Sequence, residues 1–303
     1  MTTSTLIRST DGVQVHVIDT GGAGVPLLFL HEYCGDQQSW SGQISDLAGE
    51  HRCIVPAARG YLPSDVPTEA DAYSWEQAVR DAIAVLDARD IESAHVIGVS
   101  MGGYTAVQLG RLHPDRVRSV AAVSVGSGSD PVTRGAFIRE AEDISSRLRS
   151  DGTGPVGVLM SQGPGRLQLR RHDEAAWQLM VDQFIAHSAT GLAHTMLQIQ
   201  GRRPSLHDQA DDLRTYRVPL LIIAGDEDEA CLSTGLMLKR TVPTSALRIL
   251  PHSGHVPNLE DPVTFNRIVR EFVLTVETGA WPDRDPRTLS ASPFGLDRAP
   301  SPR

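Results

Sequence analysis

The sequence predicts an α/β fold in which a mostly parallel β-sheet is covered by helices on both faces and carries an inserted helical cap. Apolar runs of strand length alternate with helical patterns along most of the chain, which is typical of parallel strands joined by crossover helices. One long interruption between two of these runs contains helical patterns alone. The chain has 303 residues, of which 40% are hydrophobic, and this is enough to form a sizeable core.

The predicted strands are short runs rich in Val, Ile and Leu, as expected for strands that are buried on both faces. Helical spacing of apolar residues is clearest at 75–88 and in the segment after Pro262. The core is therefore expected to comprise residues 1–125 and 218–278. The seven predicted strands are residues 13–18, 26–30, 53–55, 94–99, 119–125, 220–224 and 246–250.

The interruption spans residues 126–217 and separates two predicted core strands. Helical patterns occur at 137–149 and 174–187, and no run in it is a convincing strand. This arrangement predicts a helical cap over one edge of the sheet. Residues 279–303 are rich in Pro, Arg and Ser, which predicts an irregular C-terminal tail.

Charge and composition exclude several classes of partner. The net charge of -9 disfavours binding to nucleic acid or to anionic lipid. No apolar stretch approaches the roughly 20 residues of a membrane helix, and the polar N-terminus lacks a secretory signal, so we expect a cytoplasmic protein. Cys34, Cys53 and Cys231 are too widely spaced to indicate a disulfide framework or a zinc site. The sequence does not indicate an oligomeric state.

The strongest local signal is the segment GVSMGG at residues 98–103, which contains the pattern G-x-S-x-G. It follows a predicted strand and precedes a helix-like segment, so Ser100 is expected at a sharp strand-to-helix turn. Small residues two positions before and after the serine are needed because the backbone crowds neighbouring elements there. The context favours Ser100 as a nucleophile over an accidental Gly/Ser turn.

A serine hydroxyl is a poor nucleophile at neutral pH, so this hypothesis requires a base. In this topology the base is expected on a loop after the last strand, and both His252 and His255 lie there. Gly254 permits a bend that would turn the next side chain inward. We therefore favour His255 and keep His252 as the alternative.

A carboxylate is expected to orient the imidazole from the end of the preceding strand. Four acids, Asp226, Glu227, Asp228 and Glu229, crowd the loop after residues 220–224. Asp228 is the first choice and Asp226 the second, and at least two of the four are expected to be solvated.

These three segments together resemble the α/β-hydrolase fold superfamily. The resemblance rests on GVSMGG, GDED and SGHVPNLEDP in this order, and it covers about residues 12–278. In that family the acid is usually the second aspartate of G-D-x-D, which corresponds to Asp228. The base is the histidine of a G-H-x-x-x-x-E-x-P-like segment, which corresponds to His255.

The resemblance also implies an oxyanion hole made of two backbone N–H groups. Met101 follows the nucleophile and corresponds to the first donor, and Tyr33 corresponds to the second. Glu32 departs from the family pattern, because it occupies the place of the usual glycine in H-G-x. A carboxylate there would repel a developing anion or contact the substrate. A second departure is AARGYLPS at 57–64, where D-x-R-G-x-G-x-S is common.

Candidate substrate contacts come from the loops and from the predicted cap. Glu32, Cys34, Tyr61 and Trp177 are weaker candidates, since a purely structural role is at least as plausible for most of them. Arg166, Arg170 and Arg171 are assigned to the solvent face or to the core of the cap. The remaining histidines show no metal-ligand spacing, and the sequence implies no cofactor.

The favoured interpretation is a serine hydrolase that cleaves a carboxylic ester, a lactone or a related acyl bond of a small molecule. One alternative is a cofactor-free oxygenase of the same fold, because YCGD at 33–36 resembles the W-C-x-D segment of such enzymes. Another is a ligand-binding receptor on a retained hydrolase fold. Neither the acyl group nor the leaving group follows from the fold.

Overall fold

The computed structural model describes residues 2–294 and contains one eight-stranded, mostly parallel β-sheet. The strands lie in the order β1-β2-β4-β3-β5-β6-β7-β8. Strands β3 to β8 run parallel to one another, and β2 runs antiparallel to both of its neighbours, β1 and β4. The strands are β1 (Thr3–Arg8), β2 (Gln14–Asp19), β3 (Pro26–Leu30), β4 (Arg52–Pro56), β5 (Ala94–Val99), β6 (Val117–Val123), β7 (Leu220–Gly225) and β8 (Ser245–Leu250).

Helices connect the strands and cover both faces of the sheet. Most begin at a residue suited to capping; Ser74, for example, accepts a hydrogen bond from the N–H of Gln77. The helices are α1 (Ser41–Leu47), α2 (Trp75–Asp87), α3 (Met101–Leu112), α4 (Arg134–Asp151), α5 (Thr153–Ser161), α6 (Leu167–His172), α7 (Glu174–Ala186), α8 (Ala189–His194), α9 (Ala210–Leu213), α10 (Glu229–Thr241), α11 (Pro257–Glu260) and α12 (Pro262–Glu277).

All seven predicted strands are present, with shifts of one or two residues at most of their ends. The prediction missed β1, whose residues are mostly exposed and carry no alternating apolar pattern. This strand pairs with β2 through backbone hydrogen bonds at the edge of the sheet. Such an edge position explains why the sequence of this strand is polar.

The core consists of two apolar layers, one on each face of the sheet. Successive side chains of a strand point to opposite faces. In β3, Leu27 and Phe29 therefore pack into one layer, and Leu28 and Leu30 pack into the other. Burial on both faces accounts for the nearly continuous apolar sequence of the central strands.

The long segment between β6 and β7 contains helices α4 to α9. The two helical patterns read from its sequence correspond to α4 and α7. Residues 195–201 continue α8 as a π-helical turn. We refer to residues 126–217 as the helical insert. Its helices contact both each other and the loops at the carboxyl end of the sheet.

The last described residues return to the sheet. Trp281 packs edge-on against Phe272, with ring centroids 4.6 Å apart, and its indole N–H donates to the carbonyl of Thr244 at 2.7 Å. Residues 286–289 form a short 3₁₀ helix, and the end of the predicted irregular tail, 295–303, lies outside the described residues. Within residues 2–294, no helix is long and apolar enough to cross a membrane.

Candidate active site

Ser100 lies at the sharp turn between β5 and α3. Its backbone has φ of 52° and ψ of -106°, a conformation that non-glycine residues rarely adopt. The N–H of Ser100 donates to the carbonyl of Val123 at the end of β6, at 2.8 Å, which holds the turn in place. Strain that the surrounding structure maintains in this way is typical of functional positions.

The glycines around Ser100 are required by close backbone contacts. A Cβ atom on Gly98 would lie 2.2 Å from the carbonyl oxygen of Gly102. A Cβ atom on Gly102 would lie 2.1 Å from the carbonyl oxygen of Leu30, at the end of β3. The spacing read from the sequence therefore reflects packing of the turn against itself and against the neighbouring strand.

His255 and Asp228 lie on the loops that follow β8 and β7. The Nδ1 atom of His255 is 2.9 Å from Oδ2 of Asp228, and both side chains are buried. A proton on Nδ1 donates to this carboxylate, which leaves Nε2 with a free lone pair. This tautomer is the one that can accept a proton from a hydroxyl group.

Charge interactions dominate the electrostatics of this pair. Burial disfavours a charged imidazole, but the adjacent Asp228 carboxylate raises the pKa of His255 well above its ordinary value. Burial would raise the pKa of Asp228, but the charge of His255 and its hydrogen bond hold that pKa below the ordinary value. The charge on each of the two side chains therefore stabilises the charge on the other.

The competing histidine and acids point elsewhere. His252 is exposed and occupies a left-handed backbone conformation with φ of 56°. Asp226 is exposed and accepts the backbone N–H of Ser253 at 3.2 Å. Glu227 and Glu229 are exposed as well. Only Asp228, among these four acids, contacts the imidazole of His255.

Ser100 and His255 are almost enclosed, with 6% and 9% of their surface exposed. No hydrogen bond joins the Ser100 hydroxyl to His255 or to any other side chain within residues 2–294. Catalytic hydrogen bonds are often long without substrate and shorten in the substrate complex, so this geometry is compatible with a nucleophile and its base.

Glu260 holds the loop that carries His255. Its carboxylate accepts hydrogen bonds from the Ser253 hydroxyl and the Gly254 N–H, both at 2.6 Å. It also accepts the Val256 N–H at 3.3 Å. The sequence motif contains this glutamate, but only the structure assigns it this role.

Cys231 lies beside the His255–Asp228 pair and was not singled out from the sequence. Its thiol donates to the carbonyl of Ser124 at 3.1 Å, and Sγ is 3.8 Å from Nδ1 of His255. Potential ligand atoms of Asp228, Cys231 and His255 lie within 4.8 Å of one another, so these residues form a group that could hold a metal ion. A metal there would compete with the hydrogen bond between His255 and Asp228.

The two backbone N–H groups that the sequence proposed as oxyanion donors have no acceptor among the described residues 2–294. Met101 is the first residue of α3, so its N–H has no acceptor within the helix. The N–H of Tyr33 makes no hydrogen bond to any acceptor within residues 2–294. Glu32 does not adopt a positive φ, so its backbone is compatible with a residue that has a Cβ atom. The loss of the usual glycine therefore introduces a side chain without backbone strain.

The carboxylate of Glu32 is buried and paired with an arginine of the helical insert. Its Oε2 atom lies 2.5 Å from Nη2 of Arg166 and accepts the N–H of Cys34 at 3.2 Å. Burial would raise the pKa of Glu32, but the Arg166 charge holds it below the ordinary value. The assignment of Arg166 to the solvent face or to the interior of the cap missed this contact with the core.

Among the weaker candidates, Cys34 and Tyr61 are buried near this loop. Burial raises the pKa of the Cys34 thiol to about 12. The Tyr61 hydroxyl donates to the carbonyl of Tyr33 at 2.8 Å, and the Tyr33 hydroxyl donates to the carbonyl of Leu192 at 2.9 Å. The second of these contacts joins the loop after β3 to the helical insert.

Trp177 is half-buried within the helical insert. Its indole N–H donates to the carbonyl of Ser161 at 2.9 Å, and Arg170 stacks on its ring at 4.6 Å. Both partners belong to the insert, so the polar contacts of Trp177 do not join it to Ser100 or to His255.

Comparison with known proteins agrees with this fold. The family model for the alpha/beta hydrolase fold matches residues 25–262, and the chain belongs to this family. It is 26% identical over 284 residues to 2-hydroxymuconate semialdehyde hydrolase of Pseudomonas sp. (strain CF600), covering 89% of this chain and 93% of that protein. It is 25% identical over 276 residues to 3-oxoadipate enol-lactonase 1 of Acinetobacter baylyi, and the match covers 90% of this chain and 98% of that protein.

Solved structures give the same result for the fold. A thermophilic esterase from Thermogutta terrifontis superposes with a TM-score of 0.80 at 24% identity, and the match covers 90% of this chain and 99% of that chain. Hydrolases, lactonases and esterases thus recur among the relatives and neighbours. The protein is an α/β-fold hydrolase, and its relatives act on small molecules.

Proposed function

We propose that the protein is a serine hydrolase that cleaves a carboxylic ester, a lactone or a related acyl bond through an acyl-enzyme. Ser100 is the nucleophile, His255 the base and Asp228 the acid that orients it. The observation that carries this proposal is the 2.9 Å contact between His255 Nδ1 and Asp228 Oδ2, on loops next to the strained Ser100 turn.

The chemistry proceeds in two halves. Neutral His255 takes the hydroxyl proton of Ser100 as its oxygen attacks the acyl carbon, and the imidazolium then protonates the leaving alcohol. Water, deprotonated by His255, hydrolyses the acyl-enzyme in the second half. The N–H groups of Tyr33 and Met101 stabilise the oxyanion in both halves, and the Asp228 carboxylate stabilises the imidazolium.

An organophosphonate tests the nucleophile. A hydroxyl that is activated by a histidine attacks this reagent, whereas an ordinary turn serine does not. We expect intact-mass analysis to show one adduct on the wild type and none on Ser100→Ala. An adduct of equal yield on both proteins would contradict the assignment of Ser100.

To identify the reaction, the wild type and Ser100→Ala are both tested with a panel of esters, lactones and substrates of C–C bond hydrolysis. Turnover that is lost in Ser100→Ala is expected. If Ser100→Ala retained turnover, His255 and Asp228 would act directly on the substrate, as in a cofactor-free oxygenase. Binding without turnover in the wild type would instead favour a receptor.

A further inference from the structure

The ion pair between Glu32 and Arg166 joins the core to the helical insert beside the proposed catalytic residues. Glu32 directly precedes Tyr33, whose N–H is a proposed oxyanion donor. Arg166 follows Gly165, whose carbonyl accepts the N–H of His255 at 3.3 Å. The pair therefore lies next to Tyr33 and next to the segment that contacts the backbone of His255, whose charge also acts on the Glu32 carboxylate.

Two atoms of this pair are buried without a partner. Oε1 of Glu32 and Nη1 of Arg166 make no hydrogen bond to any of residues 2–294, and neither atom is exposed to solvent. Leaving such groups unpaired is costly in a folded protein, so each unpaired atom calls for an explanation. One atom accepts a hydrogen bond and the other donates one. The Cys34 thiol lies near the same guanidinium, but sulfur is only a weak acceptor.

The charges of the two side chains cancel. The guanidinium stays protonated and the carboxylate stays ionised because each stabilises the other. An additional carboxylate on the substrate would gain from Arg166 but would be repelled by Glu32 at similar distance. A neutral group that both accepts and donates a hydrogen bond would satisfy both free atoms. A hydroxyl group does this with one oxygen atom.

We propose that Glu32 and Arg166 form a subsite for a neutral hydroxyl group on the acyl part of the substrate, which accepts from Nη1 of Arg166 and donates to Oε1 of Glu32. This inference rests on the proposed function, because it assigns the specificity of the same site. It makes hydroxyacyl esters or lactones the substrate class and disfavours acyl groups that carry a carboxylate.

Matched 4-nitrophenyl esters test the subsite. The 2- and 3-hydroxybutanoates are compared with the 2- and 3-methylbutanoates, which replace the hydroxyl by a methyl group of similar size. For at least one position, we expect kcat/KM of the hydroxy ester to exceed that of its methyl counterpart by about tenfold or more, since the methyl group leaves both polar atoms unpaired. The hemisuccinate should be hydrolysed more slowly than the butanoate.

Two variants assign the selectivity to the pair. Glu32→Gln leaves the charge of Arg166 uncompensated, so the ratio of hemisuccinate to butanoate kcat/KM should rise by about tenfold or more. Arg166→Gln removes the charged donor, so the ratio of hydroxy to methyl ester should fall towards one. The control is Asp19→Asn, which removes the carboxylate that pairs with Arg52 at 2.7 Å. Arg52 is the first residue of β4, so this ion pair lies at the amino edge of the parallel strands, opposite the edge that carries the proposed site. Asp19→Asn should leave both ratios unchanged.

The ratios separate recognition from a structural role. If the pair only fixed the insert on the core, its loss would lower the activity on all esters together and leave the ratios unchanged, which would overturn the inference. Calorimetric binding of the same esters to Ser100→Ala tests the subsite without turnover, so failure of the proposed chemistry would not hide it. Equal binding of hydroxy and methyl esters there would also overturn it.

Discussion

The contact between His255 and Asp228 joins two residues that are distant in the sequence. The sequence analysis placed Asp228 ahead of Asp226, the resemblance agreed with that choice, and the geometry places only Asp228 at the imidazole. Their separation in the chain is 27 residues, so no local pattern reveals the contact itself. Arg166 and Glu32 are 134 residues apart, and neither carries a recognised motif that would pair them. Contacts of this kind depend on the assembled fold.

The raised pKa of His255 predicts the pH dependence of turnover. Only the neutral imidazole accepts the Ser100 proton, and a raised pKa keeps the imidazolium present to higher pH. We therefore expect kcat/KM to increase with pH through one ionisation that lies above the ordinary histidine value of about 6.5. A pH–rate profile that is flat across this region, for a substrate whose chemistry limits the rate, would contradict histidine as the base.

Asp228→Asn tests the origin of that shift. Without the carboxylate, its charge no longer opposes the effect of burial, which lowers the pKa of His255, so the rising limb should move to lower pH. We expect kcat to fall by orders of magnitude, with about 10⁴ known from serine proteases. Asp226→Asn is the control, because this exposed side chain contacts only a backbone N–H of the loop. It should stay within about tenfold of the wild type, a difference under about 1.4 kcal/mol, and leave the pH profile in place.

At the scale of elements, the positions of strands and helices could be predicted from the sequence where an element is buried on one face or on both faces. Central strands are continuous apolar runs, and α2 and α12 have a clear apolar face. Strand β1 was not predictable, because its pairing with β2 uses backbone groups and only Ile7 is buried. Hydrogen bonds between backbones do not depend on side-chain identity, so an exposed edge strand leaves little trace in the sequence.

The turn between β5 and α3 yields a prediction about stability. In Gly102→Ala the new Cβ would overlap the carbonyl oxygen of Leu30, and a backbone atom in a central strand cannot easily move away. We expect the free energy of unfolding to fall by at least about 3 kcal/mol, at the upper end of overpacking costs. Denaturant unfolding measures the change.

The matched control for this turn is Gly49→Ala. Gly49 is exposed, does not have a positive φ, and has open space where a Cβ would be added. Its free energy of unfolding should change by no more than about 0.5 kcal/mol. Equal effects of the two substitutions would show that the contact between the turn and β3 leaves room for a Cβ atom at Gly102.

At the scale of the whole molecule, the sheet brings distant segments to one edge. Ser100, Asp228 and His255 follow β5, β7 and β8, and the carboxyl ends of parallel strands lie on the same side of the sheet. This is why the order of three short motifs was sufficient to predict that these three residues follow strands at one edge of the sheet. The packing of the helical insert against the loops was not predictable, since it depends on buried polar contacts such as that of Tyr33 with Leu192.

The C-terminal segment makes contacts that its composition does not reveal. Residues after α12 are rich in Pro and Arg, which predicted an irregular tail, and within this segment Trp281 packs on Phe272 and donates to Thr244. The N–H of Arg284 also donates to the carbonyl of Pro243, at 2.8 Å. The segment thus covers the start of β8 and the last helix.

Trp281→Ala measures how much this covering stabilises the fold. The substitution removes a half-buried indole and leaves the carbonyl of Thr244 without this donor. We expect the free energy of unfolding to fall by about 2 kcal/mol, less than the 3–5 kcal/mol typical of fully buried aromatic residues. Leu289→Ala is the control, because Leu289 is 52% exposed, and it should change this free energy by about 0.5 kcal/mol or less. Denaturant unfolding that gave equal values for the two variants would mean that the segment does not stabilise the core.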